Sequence, residues 1–256
     1  MRQTVEKWST QITEIVSGWP SVEAVTLGDP LGEDVYDPHF FLSLDVYYTG
    51  NIPSPEERCA SFTFGGGFEF SPSGKKDRFL IEEVPIRIEY IEKEKFAARV
   101  DGKEGLFVLL RENGSYPFYR ILHSRILFSR SSWFEETREK LENLPDSFWT
   151  SLRTFFLSRL EHHFSDLEAA SIRQDPLLFL VASGSFVRVL CSTVFIINRT
   201  FEPSLRVLQK AIRELPVLPE SFHVRLENFL RCEPSLSLSR KSEIAGLLVK
   251  SLIHLV

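Results

Sequence analysis

Asp45 is the charged residue inside an apolar run, Phe40 to Tyr48, "FFLSLDVYY". A carboxylate in an apolar strand costs several kcal/mol unless it is paired or binds a cation. A second carboxylate, Glu89, lies in "VPIRIEYIE", where Val84, Ile86, Ile88 and Tyr90 alternate with Pro85, Arg87, Glu89 and Ile91. That period of two predicts a strand with Arg87 and Glu89 on one face. Ser43 stands two residues before Asp45 and shares its face by the same rule. Two acids so placed suit a shared cation, and the alternative is structural pairing with Arg87 or Arg78.

Upstream, the run Val25 to Leu27 ends at Gly28-Asp29, and thirteen residues separate Asp29 from Ser43. A strand ending in glycine, a loop of this length, Ser43-Leu44-Asp45 and a later-strand acid, Glu89, together resemble the nucleotidyltransferase superfamily of the DNA polymerase beta type. The segments "LGDPLGEDVYDPHFFLSLDVYY", "KDRFLIEEVPIRIEY" and "CSTVFIINRTFEPSLRVL" carry the resemblance. It extends to a bacterial family in which a minimal nucleotidyltransferase domain precedes a helical one. The resemblance implies an α+β fold, with a mixed sheet and flanking helices followed by an all-α domain. It implies transfer of a nucleoside monophosphate, commonly AMP, from ATP or another triphosphate to a small-molecule or protein acceptor. Asp45 and Glu89 would be the catalytic, Mg²⁺-binding pair, and Gly28, Asp29, Ser43 and Arg87 would meet the nucleotide. Two residues depart from the pattern: Ser43 stands where the first metal carboxylate belongs, and Asp29 where a small residue belongs. A hydroxyl is a weaker Mg²⁺ ligand than a carboxylate, so Asp29, Asp34 or Asp37 would have to substitute from the loop. The alternative is a degenerate relative that keeps the fold to bind a nucleotide or a protein partner.

The elements that must position these residues follow from patterning. Val5, Trp8, Ile12, Ile15 and Val16 make one helical stripe, stopped by Gly18, Trp19 and Pro20. Val22 to Leu27 and Phe40 to Tyr48 read as strands. Ser54-Pro55-Glu56-Glu57 carries a capping-box helix start. "FLIEEVPIRIEYIE" reads as one further strand, and "GGGFEFSPSGKK" as a flexible hairpin or lid, with Lys75, Lys76 and Arg78 facing solvent or phosphates. From Trp133 the pattern turns helical. We therefore expect a nucleotidyltransferase-like domain over 1–130 and a helical domain over 131–256, the latter open to a protein partner. In that half His162, His163 and Asp166 sit at helical spacing, more in keeping with a helix surface than a metal site. Arg188, inside an apolar helix, needs a partner such as Glu161, Asp166 or Asp175.

Composition excludes several classes. Lys plus Arg number 30 against 35 Asp plus Glu, a net charge of -5, so there is no general attraction to nucleic acid or anionic membrane. The 22 phenylalanines against one methionine predict a bulky aromatic core. Cys59, Cys191 and Cys232 lack metal-site or disulfide spacing and are expected as reduced thiols. The charged N-terminal stretch is unlike a signal peptide, which leads to a cytoplasmic expectation. Pro176 to Asn198 nears the length of a membrane span, but Arg188 near its centre favours a core helix.

Overall fold

The computed structural model of the chain describes residues 2–28, 40–63, 66–101, 114–233 and 235–255. Asp29, Asp34, Asp37 and Gly65 lie outside the described residues. The chain divides into two compact units, Met1–Asn143 and Leu144–Val256.

The first unit is built on a six-stranded mixed sheet of order β3-β4-β5-β2-β1-β6. The strands are β1 (Val22–Leu27), β2 (Leu42–Tyr48), β3 (Gly66–Phe70), β4 (Lys76–Ile81), β5 (Val84–Glu92) and β6 (Arg125–Ser129). Helix α1 (Arg2–Ser17) lays Val5, Trp8, Ile12 and Val16 on one face, against Leu42, Leu44 and Val46 of β2 and Ile86 and Ile88 of β5. Alternation sends Ser43, Asp45 and Tyr47 to the other face. There α3 (Lys93–Asp101), α4 (Tyr116–His123) and α5 (Trp133–Glu142) supply an aromatic layer. Tyr47 meets Phe96, Trp133 and Phe134, and Phe118 meets Phe96. Buried from both sides, β2 can hold a carboxylate only where a neighbour supplies charge.

β2 and β5 are parallel neighbours, so the chain between them must cross over. It does so through α2 (Pro55–Ser61), whose cap Ser54 and Glu57 form the expected capping box, and through the β3–β4 hairpin. The stretch expected as a single strand is two: β4 and β5 pair antiparallel around Glu82-Glu83, with Glu82 at φ 55. The sequence conceals this turn because a glutamate pair takes the place of the usual glycine or asparagine. The hairpin sets Lys76 opposite Glu89 and Arg78 opposite Arg87. A buried ion pair fixes it. Arg58 of α2 donates to Asp77 through Nε at 2.8 Å and Nη2 at 2.9 Å, and to the carbonyls of Pro53 and Gly74. The Tyr90 hydroxyl donates to the same carboxylate at 2.7 Å.

The second unit contains α6 (Asp146–Arg173), α7 (Pro176–Ile197), α8 (Leu208–Arg213), α9 (Phe222–Leu230) and α10 (Leu238–Ile253). Two residues join α6 to α7. Gln174 closes the first in the left-handed region at φ 51, and Asp175 caps the second by accepting from the amides of Leu177 and Leu178, with Pro176 at the first turn. α7 is long and apolar enough to cross a membrane by length and composition, and 56% of its most apolar window is buried inside the fold. Arg188 on it pairs with Glu202 at 3.3 Å, not with the three acids expected from sequence. Glu202 lies just beyond the C-terminal end of α7, closer in sequence to Arg188 than Glu161 or Asp166, and the chain leaving the helix returns it to Arg188. Cys59, Cys191 and Cys232 are free thiols.

Candidate functional site

In the parallel β2–β5 ladder Ser43 lies opposite Arg87 and Asp45 opposite Glu89. All four side chains therefore share the face beneath α4. Asp45 is 0% exposed. One cation reaches both carboxylates, and it belongs to the chain: Arg120 of α4, itself nearly buried, forms an ion pair through Nη2 with Asp45 Oδ1. Its Nη1 lies 3.3 Å from Glu89 Oε2, and its Nη2 donates to Ser43 Oγ at 3.1 Å. Local sequence explains the placement. In "YPFYRILH" Pro117 starts a short helix, and Phe118 and Ile121 anchor it in the core. Arg120 is thus carried onto the acidic pair.

Glu89 is surrounded further. Lys76 Nζ sits 3.1 Å from Oε1 and Arg87 Nη2 3.2 Å from Oε2. Burial alone would raise the Glu89 carboxyl, but Lys76, Arg120 and Arg87 outweigh it and hold the carboxyl below its ordinary range. Asp45 goes the other way. Complete desolvation, reinforced by the negative charge of Glu89, overcomes Arg120 and raises its carboxyl to about 6. Its Oδ2 is buried and accepts no hydrogen bond among the described residues. Arg120 is held firmly charged: desolvation opposes the charge, and Asp45 leads the groups that outweigh it. Two neighbouring acids are thereby split into one that stays ionised and one that titrates near neutrality.

Gly28 closes the site from β1. Its amide donates to the Ser43 carbonyl at 2.9 Å, and a Cβ there would lie 3.4 Å from Ser43 Cβ. Gly28, Ser43, Asp45, Arg87 and Glu89 are therefore together, while Asp29 lies outside the described residues. Sequence reasoning missed Arg120. The signal was present: an arginine in an aromatic-rich helix with no acid beside it must find a partner elsewhere, the argument applied above to Arg188.

The described donors do not suit Mg²⁺. That ion takes oxygen ligands in near-octahedral array, and here the guanidinium of Arg120 lies against Asp45, Glu89 and Ser43, with two further cations on Glu89. Among the described residues no group of three or more His, Cys, Asp or Glu is placed to hold a metal. His162 and His163 each stand 3.8 Å from Asp166 on a helix surface, without a third ligand. What remains is a cationic face. Arg120, Arg87 and Lys76 face two carboxylates, and Arg78 is beside Arg87 in register. Such a face is suited to an anion with several oxygens.

No protein-family model matches the sequence, and no curated protein matches it. Among solved structures the fold is similar to that of a nucleotidyltransferase-like protein from Exiguobacterium sibiricum. The two share a TM-score of 0.52 and 11% identity over 96% of this chain and 74% of that one. The chain has a nucleotidyltransferase-like fold, with an N-terminal mixed sheet and a helical C-terminal region. At this identity the likeness concerns architecture, and the site must be read from its own residues.

Proposed function

We propose that the chain is a nucleotidyltransferase-fold protein that binds the phosphates of a nucleotide with its own fixed cations and does not transfer the nucleotidyl group. The observation that carries this reading is Arg120, whose single guanidinium contacts Asp45, Glu89 and Ser43. A guanidinium can neutralise the two carboxylates as a metal would. It offers no coordination positions to a phosphate oxygen and an attacking hydroxyl together, which is what metal-assisted transfer needs. Arg87, Lys76 and Arg78 remain on the same face for charge-assisted bonds to phosphate. Transfer of AMP from ATP to a small-molecule or protein hydroxyl is the competing reading.

Calorimetric titration of ATP in chelator and in Mg²⁺, beside an assay of pyrophosphate release with a panel of acceptors, separates the two. We expect ATP to bind at least as well in chelator as in Mg²⁺, to bind more weakly to Arg87→Ala, and to yield no pyrophosphate. Mg²⁺-dependent pyrophosphate release by the wild type, lost in Asp45→Asn, would establish transfer instead. Absence of ATP binding in both buffers would remove the nucleotide from the proposal.

A further inference from the structure

A cavity of about 230 Å³ opens within the second unit, where α7, α8 and α9 meet. Helical spacing decides which side chains enter it. Val187 and Cys191 on α7, Leu208 and Ile212 on α8, and Leu226 and Leu230 on α9 are each four residues apart, so each pair shares one face of its helix. Cys191 and Ile212 are buried and form the floor. Burial pushes the Cys191 thiol up to about 12, which keeps it a small, neutral, apolar group. Polar pairs occupy neighbouring positions: Gln209 and Arg213 on α8, His223 and Glu227 on α9. Gln209, Arg213 and Glu227 are exposed, and with the half-buried His223 they make the rim.

Size and polarity select the occupant. Water gains few hydrogen bonds on apolar walls, and an apolar cavity of about 150 Å³ stays dry and takes benzene. On that scale 230 Å³ holds about nine non-hydrogen atoms, enough for two fused rings. At the rim Arg213 Nη2 lies 3.3 Å from Glu227 Oε1, and both side chains are more than half exposed. The two charges answer each other, so an ion of either sign would meet a like charge beside the opposite one. Such an exposed pair is weak and parts readily to admit a ligand. Gln209 and His223 can each donate and accept. An uncharged molecule with one N–H or O–H therefore suits the mouth, and flat rings suit the walls.

We infer that the cavity is a binding site for a neutral bicyclic aromatic carrying one N–H or O–H, the class to which indole belongs. The rings lie on the apolar pairs, and the polar atom meets Gln209 or His223 at the rim. The lining residues all belong to the second unit. The cavity thus shares no residue with the Arg120 site and does not depend on the reading of that site.

Calorimetric titration of indole into the full chain tests the assignment. The wild type should bind one equivalent with a dissociation constant on the order of 0.1–1 mM, the affinity within reach of so small a ligand. Cys191→Phe, which fills the floor, should keep the wild-type circular dichroism and weaken binding roughly tenfold or more, and Val187→Phe should do so from the wall. In the wild type, indole should slow alkylation of Cys191 by N-ethylmaleimide and leave that of the exposed Cys59 and Cys232 unchanged. Indole-3-acetate, which adds a negative charge, should bind roughly tenfold more weakly than indole. A wild type without saturable indole binding up to about 5 mM overturns the proposal, and so does binding that both filling variants retain. Alkylation of Cys191 that saturating indole leaves unchanged would put the ligand elsewhere and overturn it too. Tighter binding of indole-3-acetate than of indole would overturn the neutral class in favour of an anion.

Discussion

Replacing Arg120 by methionine keeps most of the side chain's bulk and removes its charge. In the wild type the buried Asp45 carboxyl titrates at about 6 with Arg120 beside it. Without the guanidinium, desolvation and Glu89 act unopposed by their main counterweight, and the carboxyl should rise further. At pH 5.5 Asp45 is then largely protonated in both folded proteins. The variant there loses only the hydrogen bonds to Ser43 and Glu89, about 1–2 kcal/mol. At pH 8 the wild type carries an ionised, paired Asp45, whereas the variant must either ionise a buried carboxyl without its main partner or hold it neutral. Removing one partner of a buried ion pair costs about 3–5 kcal/mol, so the loss at pH 8 should exceed the loss at pH 5.5 by roughly 2–3 kcal/mol. Urea titrations at the two pH values, followed by tryptophan fluorescence, measure the difference. Trp8, Trp19 and Trp133 all belong to the first unit, so the signal reports mainly on the site's own domain. Adding Asp45→Asn to Arg120→Met removes the uncompensated acid and should restore most of the pH 8 loss. A cost for Arg120→Met that is the same at both pH values would refute the argument, since it would mean that Asp45 does not depend on Arg120 for its charge.

Asp45→Asn alone should abolish one pH-dependent step. The folded carboxyl at about 6 lies above the ordinary value of 3.8, so the folded state binds the extra proton. Its stabilising effect is complete below about pH 4 and is lost as pH rises through 6, by about 3 kcal/mol in all; the wild-type minus mutant stability, measured by urea titration from pH 4 to 7.5, should fall by that amount. In the hairpin clasp, Asp77→Ala strands the buried Arg58 and should cost about 3–5 kcal/mol. Tyr90→Phe removes one hydrogen bond to a charged group and should cost about 1.5–3 kcal/mol, both read as shifts in urea midpoint.

The apolar alternation around Asp45 and Glu89 determined, from the sequence alone, that both acids lie on strands, and the Ser54–Glu57 cap and the stripe of α1 were equally legible. These are local signals: periodicity and capping depend on residues within a turn or two, and the chain displays them directly. The resemblance carried by Gly28, Ser43 and Asp45 led to the fold class that the structure has. The turn at Glu82-Glu83 was hidden because its backbone conformation is imposed by the β4–β5 pairing and not by a residue that favours it. Above all, the counter-charge of Asp45 was not legible. Asp45 and Arg120 are far apart in sequence, and the register of β2 against β5, with the anchoring of Phe118 and Ile121, brings them together. The sequence shows that a buried carboxylate needs a cation. Which cation satisfies it is a matter of distance in space, and here tertiary packing selected an arginine of the chain's own.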